Sequence, residues 1–317
     1  MKRYSFASFE DCQQALRLIY ASPELRTYPV RPIDSPRTRE VYGTDLCFPD
    51  SPEDRPYTYA SFVNSIDGRL AFADAPSAFY VAAKNNFAGP GTHYDFWILN
   101  MLRTQADAAV IGGNSMGTDE GYLMSILDQR LYEERRQSGL PEIPLNIVMT
   151  LDGRDVPLGH SLLHEAGIPR LLVSTPGGLD YVRANYSGEL KVCDEIPARL
   201  RTDACGRDIL PIFVCGDQAP DNETFLREAR KGGIQRLLIE SPTYSYILIR
   251  MAAMDEYFLN RSGIYIGGGD TMVFGKSMKG FPSTNHPHLK LLSMAIYNAY
   301  FTYSRYRFDY RGFIPEV

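Results

Sequence analysis

Residues 106–123 read ADAAVIGGNSMGTDEGYL, and this stretch decides how the rest of the chain is understood. Ala108-Ala109-Val110-Ile111 is an apolar run of the length of a buried strand. It breaks at Gly112-Gly113, and the small polar residues Asn114, Ser115 and Thr118 follow, then Asp119 and Glu120. A strand that ends in two glycines and small hydroxyl residues leaves main-chain amides uncovered. A helical turn after it points further amides at the same spot, where anions are stabilised. The stretch reads equally as the phosphate-facing turn of a nucleotide site and as a tight strand-to-helix connection.

Working outward, strand-like and helix-like segments alternate. Pro56–Val63 is rich in aromatic and β-branched residues and runs into the turn Asn64-Ser65-Ile66-Asp67-Gly68. Tyr94–Arg103 and Leu123–Gln137 have helical patterning, as do Ser161–Ala166, Asn222–Lys231 and Ser245–Met254. Strands are expected at Leu145–Leu151, Arg170–Ser174, Ile212–Cys215 and Ile234–Ile239, the last running into Glu240. Residues 181–207 read as polar and irregular. Strands alternating with helices at this pitch predict an α/β fold with a mostly parallel central sheet covered on both faces. Leu289–Met294 and Tyr300–Phe308 read as two successive strands, an antiparallel finish. The tyrosines from Tyr297 to Tyr310 suggest an edge or dimer-interface strand.

The first 54 residues read differently. Phe9, Cys12, Ala15, Leu16 and Ile19 fall at helical spacing from Ser8 to Tyr20, and prolines then recur to Pro56. The expected organisation is an N-terminal helix and Pro-rich arm over 1–54, packed on the body or on a second subunit, and an α/β domain over 55–317.

A chain of 317 residues with 44% hydrophobic and 22% charged residues supports a sizeable core. The net charge of −5 argues against a nucleic-acid surface. No apolar run reaches the ~20 residues of a membrane span, and the first 20 residues lack the apolar block of a signal peptide. Five scattered cysteines without a C-x-x-C predict a reduced, cytoplasmic protein with no structural zinc. His160 and His164 have a metal-capable spacing, but a surface helix is the simpler expectation and no metal is anticipated.

Taken in order, Arg55-Pro56-Tyr57, Ser65-Ile66-Asp67-Gly68, Leu102-Arg103, Ala106-Asp107-Ala108, Val110-Ile111-Gly112, Leu238-Ile239-Glu240, Asp255-Glu256 and Gly267-Gly268 form a series. Over residues 55–310 it resembles the reductase domain of riboflavin biosynthesis, the C-terminal half of a bifunctional deaminase-reductase. The Asp119-Glu120-Gly121-Tyr122 run is nearest an uncharacterised pyrimidine-reductase-like branch. The H-x-E and P-C-x-x-C pair of a deaminase zinc site does not occur.

This resemblance implies a dihydrofolate-reductase-like fold and an NADPH-dependent hydride transfer to a pyrimidine- or pterin-type substrate, in a homodimer. It places Gly112, Gly113, Asn114, Ser115 and Asp119 on the cofactor-binding turn, with Ser241 beside it. Thr150, Ser174 and Thr175 fall at strand ends on the adenosine side. Glu240 and Asp67 become the catalytic candidates, Glu240 as general acid or as an orienting group. Ser61, Asn64 and Ser65 fall on the substrate side. Three departures stand out: Glu240-Ser241-Pro242 replaces the family's E-G-G, Ser61 replaces a lysine or asparagine, and Ile126 stands where a phosphate-binding arginine is expected. They point to two alternatives: a catalytically degenerate nucleotide-binding protein, and a specialised-pathway reductase with an unphosphorylated substrate.

Overall fold

The computed structural model describes residues 9–117, 121–203 and 205–315. Its strands, in chain order, are β1 Arg17–Ala21, β2 Tyr57–Ser65, β3 Ala108–Gly112, β4 Leu145–Met149, β5 Arg170–Ser174, β6 Glu189–Cys193, β7 Ile209–Val214, β8 Arg236–Ile239, β9 Glu256–Ser262, β10 His288–Asn298 and β11 Phe301–Asp309. All join one sheet in the order β1-β10-β11-β9-β2-β8-β3-β4-β5-β7-β6. From β9 to β6 every neighbouring pair is parallel. The pairs β1–β10, β10–β11 and β11–β9 are antiparallel. The mostly parallel sheet with an antiparallel C-terminal finish is therefore as expected.

Both faces of β3 are buried, so its neighbouring residues feed opposite cores. Ala109 and Ile111 pack with Trp97, Leu131 and Val182 of the helices Gly91–Gln105, Gln129–Gln137 and Pro176–Asn185. Ala108 and Val110 pack with Phe225 and Leu248 of the helices Asn222–Lys231 and Pro242–Arg250. Burial on both sides explains why the β3 sequence is a continuous apolar run.

Helix starts follow a repeated recipe. Ser35-Pro36, Thr175-Pro176 and Ser241-Pro242 each place a hydroxyl at the N-cap and a proline at the first helical position. The hydroxyl accepts an otherwise orphaned amide, and the proline gives up an N–H that would have had no partner.

Several sequence expectations are corrected. Residues 17–21 form an edge strand paired with β10, with no α-helix among the described residues before Pro36. The apolar spacing there reflects burial of Phe9, Cys12 and Leu16 beneath irregular chain. The helix expected from Leu123 begins at Gln129, where the Asp128 carboxylate accepts the amides of Arg130 and Leu131. Residues 181–207 hold the end of the helix Pro176–Asn185, strand β6 and the short helix Arg199–Thr202. As an edge strand with no buried residue, β6 offers only the short alternation of Leu190 and Val192 within a polar stretch. The tyrosine-rich strand β11 is no edge: it runs between β10 and β9.

Residues 9–54 pack on the body. The helix Pro36–Tyr42 is tied to the helix Gln129–Gln137 through Glu134, which accepts from Ser35 and from the Arg37 amide at 2.9 Å. Arg37 also forms a buried ion pair with Asp128 at 3.1 Å. No described helix is long and apolar enough to cross a membrane.

Candidate active site

Strand lengths open a cleft in the middle of the sheet. β8 lies between β2 and β3 and stops at Ile239, which pairs with Ala60 on one side and Val110 on the other. β2 continues beyond Ala60, paired only with β9, and β3 continues beyond Val110, paired only with β4. The two strands part, leaving a crevice at the carboxyl ends of parallel strands, where α/β sheets generally bind ligands. A cavity of about 720 Å³ occupies it, within the size range of small-molecule sites. Ser61 of β2, Ile111 of β3 and Glu240, just past β8, line it.

Glu240 is the first residue past β8, anchored by its amide to the Val110 carbonyl at 2.8 Å. Its side chain is 3% exposed and its ion-pair partner Arg103 is 1% exposed. Arg103 Nε and Nη2 each reach a carboxylate oxygen at 2.7 Å. Tyr122 donates its hydroxyl to Oε2, and Arg103 Nη2 also lies 2.6 Å from that hydroxyl. Burial opposes the Arg103 charge, but Glu240 and Tyr122 more than compensate and raise its pKa. Burial raises the Tyr122 phenol in turn, against the lowering pull of the Arg103 charge and with the Glu240 charge adding to the rise. The acid is thus locked in place by a bidentate guanidinium, with both its oxygens engaged.

The glycine pair works differently from an open anion turn. A Cβ on Gly113 would lie 2.7 Å from the Asp155 carboxyl, and one on Gly112 would lie 3.2 Å from Ser241 Oγ. The space over both glycines is taken by the protein's own side chains. Asp155 is held there by the Thr150 hydroxyl, which also accepts the Gly153 amide at 2.9 Å. Ser241 caps the helix Pro242–Arg250, accepting the Tyr244 amide at 3.3 Å. Asn114 and Ser115, one residue further on, do line the cavity.

Asp67 accepts from the Ser65 hydroxyl at 2.6 Å and from the amides of Ile266 and Gly267 at 3.2 and 2.8 Å. These bonds outweigh the burial that opposes them and lower its pKa to about 2. It ties the end of β2 to the loop that carries Gly267 and Gly268, both at positive φ.

Sequence comparison gives no match to a family model or to a curated protein. Solved structures do match. A pyrimidine reductase-like protein from Corynebacterium diphtheriae is similar over 81% of this chain and 93% of its own, at 16% identity and a TM-score of 0.57. A diaminohydroxyphosphoribosylaminopyrimidine deaminase/5-amino-6-(5-phosphoribosylamino)uracil reductase from Thermotoga maritima is similar over 80% of this chain at 13% identity and a TM-score of 0.52. RibD from Acinetobacter baumannii is similar over 81% at 17% identity and a TM-score of 0.51. The chain spans 56% and 58% of those two longer proteins. The fold is dihydrofolate-reductase-like.

In this dihydrofolate-reductase-like frame the residues singled out by sequence fall into three groups. Glu240, Ser61, Asn114 and Ser115 meet at the cavity. Gly112, Gly113, Ser241 and Thr150 form the packing layer behind it, joined by Asp155. Ser174 and Thr175 are buried at the end of β5, both hydroxyls directed to the Leu151 carbonyl. Asn64 is 4% exposed with its Oδ1 unpaired, and Ser65 accepts the Arg69 amide at 2.9 Å inside the turn. Asp119 lies outside the described residues. His160 is buried as the cap of the helix Ser161–His164, and His164 bonds Asp208. Among the described residues no group of acids, cysteines and histidines could hold a metal.

Sequence reasoning missed three residues here. Arg103 had a signal, a basic residue in a helix otherwise patterned for burial. Tyr122 had none. Asp95 had one too: it precedes Phe96 on the helix Gly91–Gln105 and shares its cavity-facing side with Phe96 and Leu99.

Proposed function

We propose that this chain is an NADPH-dependent reductase acting on a pyrimidine- or pterin-type heterocycle. The carrying observation is the cleft between β2 and β3, deep and largely apolar, with an ion-paired carboxylate at its base. The fold shared with the C. diphtheriae protein supports the reading. NADPH, when bound, supplies the hydride. The room in the cleft suits a nicotinamide beside a flat heterocycle. Asn114 and Ser115 would hold the cofactor at the β3 side, and Ser61 would face the substrate from β2. Glu240, fixed by Arg103, would orient a ring amide as a hydrogen-bond acceptor, the second of the roles considered for it.

Charge favours the unphosphorylated form of substrate. The cavity lining holds the carboxylates Asp95, Glu240 and Asp270, and Lys276 is its one cation among the described residues. Ile126, at the position where the resemblance implies a phosphate-binding arginine, is wholly buried. The homodimer and a reducing cytoplasm, the latter consistent with five free thiols, belong to the same proposal.

The test is direct. NADPH fluorescence should respond to the protein, and NADPH should be consumed with members of a pyrimidine and pterin panel, unphosphorylated compounds ahead of phosphorylated ones. A protein that leaves NADPH fluorescence unchanged is not this reductase.

A further inference from the structure

Adding hydride to a C=N carbon requires a proton at the nitrogen, and the chain must say where it comes from. Glu240 is an ion-paired carboxylate, and the Tyr122 hydroxyl is committed to it. Asp67 lies outside the cavity and is held as the carboxylate by two amides and a hydroxyl. Asp270 is exposed at the mouth. That leaves Asp95, in the cavity wall on the helix Gly91–Gln105. Among the described residues its hydrogen bond is the one from Asn260 Nδ2 to Oδ1, at 2.7 Å, which leaves Oδ2 uncommitted. Burial pushes its carboxyl up to about 6, with the Asn260 bond pulling the other way. A carboxyl that keeps its proton up to about pH 6 and faces a cavity has the chemistry of a general acid.

Resting on the reductase reading above, we propose that Asp95 contacts the bound heterocycle and is the proton donor of this cleft, with Glu240 as its fixed counterpart. The carbon of the C=N bond gains the hydride and the π pair moves to nitrogen. Nitrogen takes the Asp95 proton as the Asp95 O–H bond breaks, and the carboxylate recovers a proton from solvent. Asn260 sets the poise of the acid through Oδ1. The groups that face Asp95 are Asn260 on β9, the Tyr303 phenol on β11, which donates to the Gly91 carbonyl, and Glu240, Asp270 and Lys276 around the cavity.

The sign follows from the protonated form being the active one. Single-turnover NADPH oxidation should be fastest at low pH and fall about tenfold per pH unit once pH rises past about 6. Asp95→Asn should bind NADPH as the wild type does, turn over about 100-fold or more slowly, and lose that pH dependence. Asn260→Ala, which removes the bond that lowers the pKa, should move the midpoint to higher pH; this variant carries the test should Asp95→Asn not fold. An independent readout is the carboxyl infrared band of the protein alone, which should contain a component titrating near 6 that Asp95→Asn lacks. Wild-type turnover with an unchanged pH profile in Asp95→Asn, or a titration near 4 with the surface acids, overturns the assignment and leaves the reductase reading intact. A wild type that neither binds nor consumes NADPH overturns both.

Discussion

The Arg103–Glu240–Tyr122 group shows what a single residue can and cannot reveal. An acid at the end of an apolar strand was legible in the sequence as something that had to be paired, solvated or working. The partner was not, because Arg103 lies 137 positions away and reaches Glu240 only once β8 is seated beside β3. Replacing Arg103 by Met should cost about 3–5 kcal/mol, because it leaves a buried carboxylate without its cation. Arg103→Met combined with Glu240→Gln should cost less than Arg103→Met alone, since no orphan charge remains. Urea denaturation of the three variants measures this, and additive losses would show that the pair is not coupled. Asp95 is marked in the sequence only by its place beside Phe96; its perturbation comes from burial, which arises only once the helix Gly91–Gln105 is packed.

At the scale of elements, the strands of the parallel sheet were legible because burial on both faces writes them as apolar runs, and the glycine pair after β3 was legible as a place of close approach. What approaches was not. The sequence pattern suits a ligand phosphate over Gly113, and the structure puts the Asp155 carboxyl there, tethered to Thr150. Likewise Ser241-Pro242, which looked like the loss of two ligand-facing glycines, is a capped helix start that needs no amide at Pro242. Gly113→Ala should therefore destabilise the fold by about 1–3 kcal/mol, the range for overpacking a filled site. Asp155→Ala should relieve most of that loss, because it empties the space the new methyl group requires. A double-mutant cycle in thermal denaturation reads the coupling. A Gly113→Ala penalty that persists unchanged in the Asp155→Ala background would mean the clash lies elsewhere.

Across the whole molecule, residues 9–54 close one side of the sheet. Phe48 packs against Tyr57 and Tyr59 with ring centroids 5.9 and 5.0 Å apart, and Arg305, paired with Glu256, lies 5.2 Å over Phe48 and donates to the Cys47 carbonyl. The same segment then supplies β1, which changes where a dimer would form. The tyrosine strand β11 is interior, so the edge on this side is β1, every residue of which is exposed. Leu18, Ile19 and Tyr20 are 47%, 54% and 43% exposed, and Leu289 on β10 is 44% exposed. An uncovered apolar edge strand is the feature that monomers usually blunt with charge or proline. If the proposed homodimer forms, this edge is the surface that would be buried. Ile19→Lys places a charge in it without touching the cleft, so the variant should run as a monomer in light scattering while binding NADPH as the wild type does. A wild type that is monomeric at micromolar concentration removes the dimer. A wild-type dimer that Ile19→Lys leaves intact moves the interface away from β1.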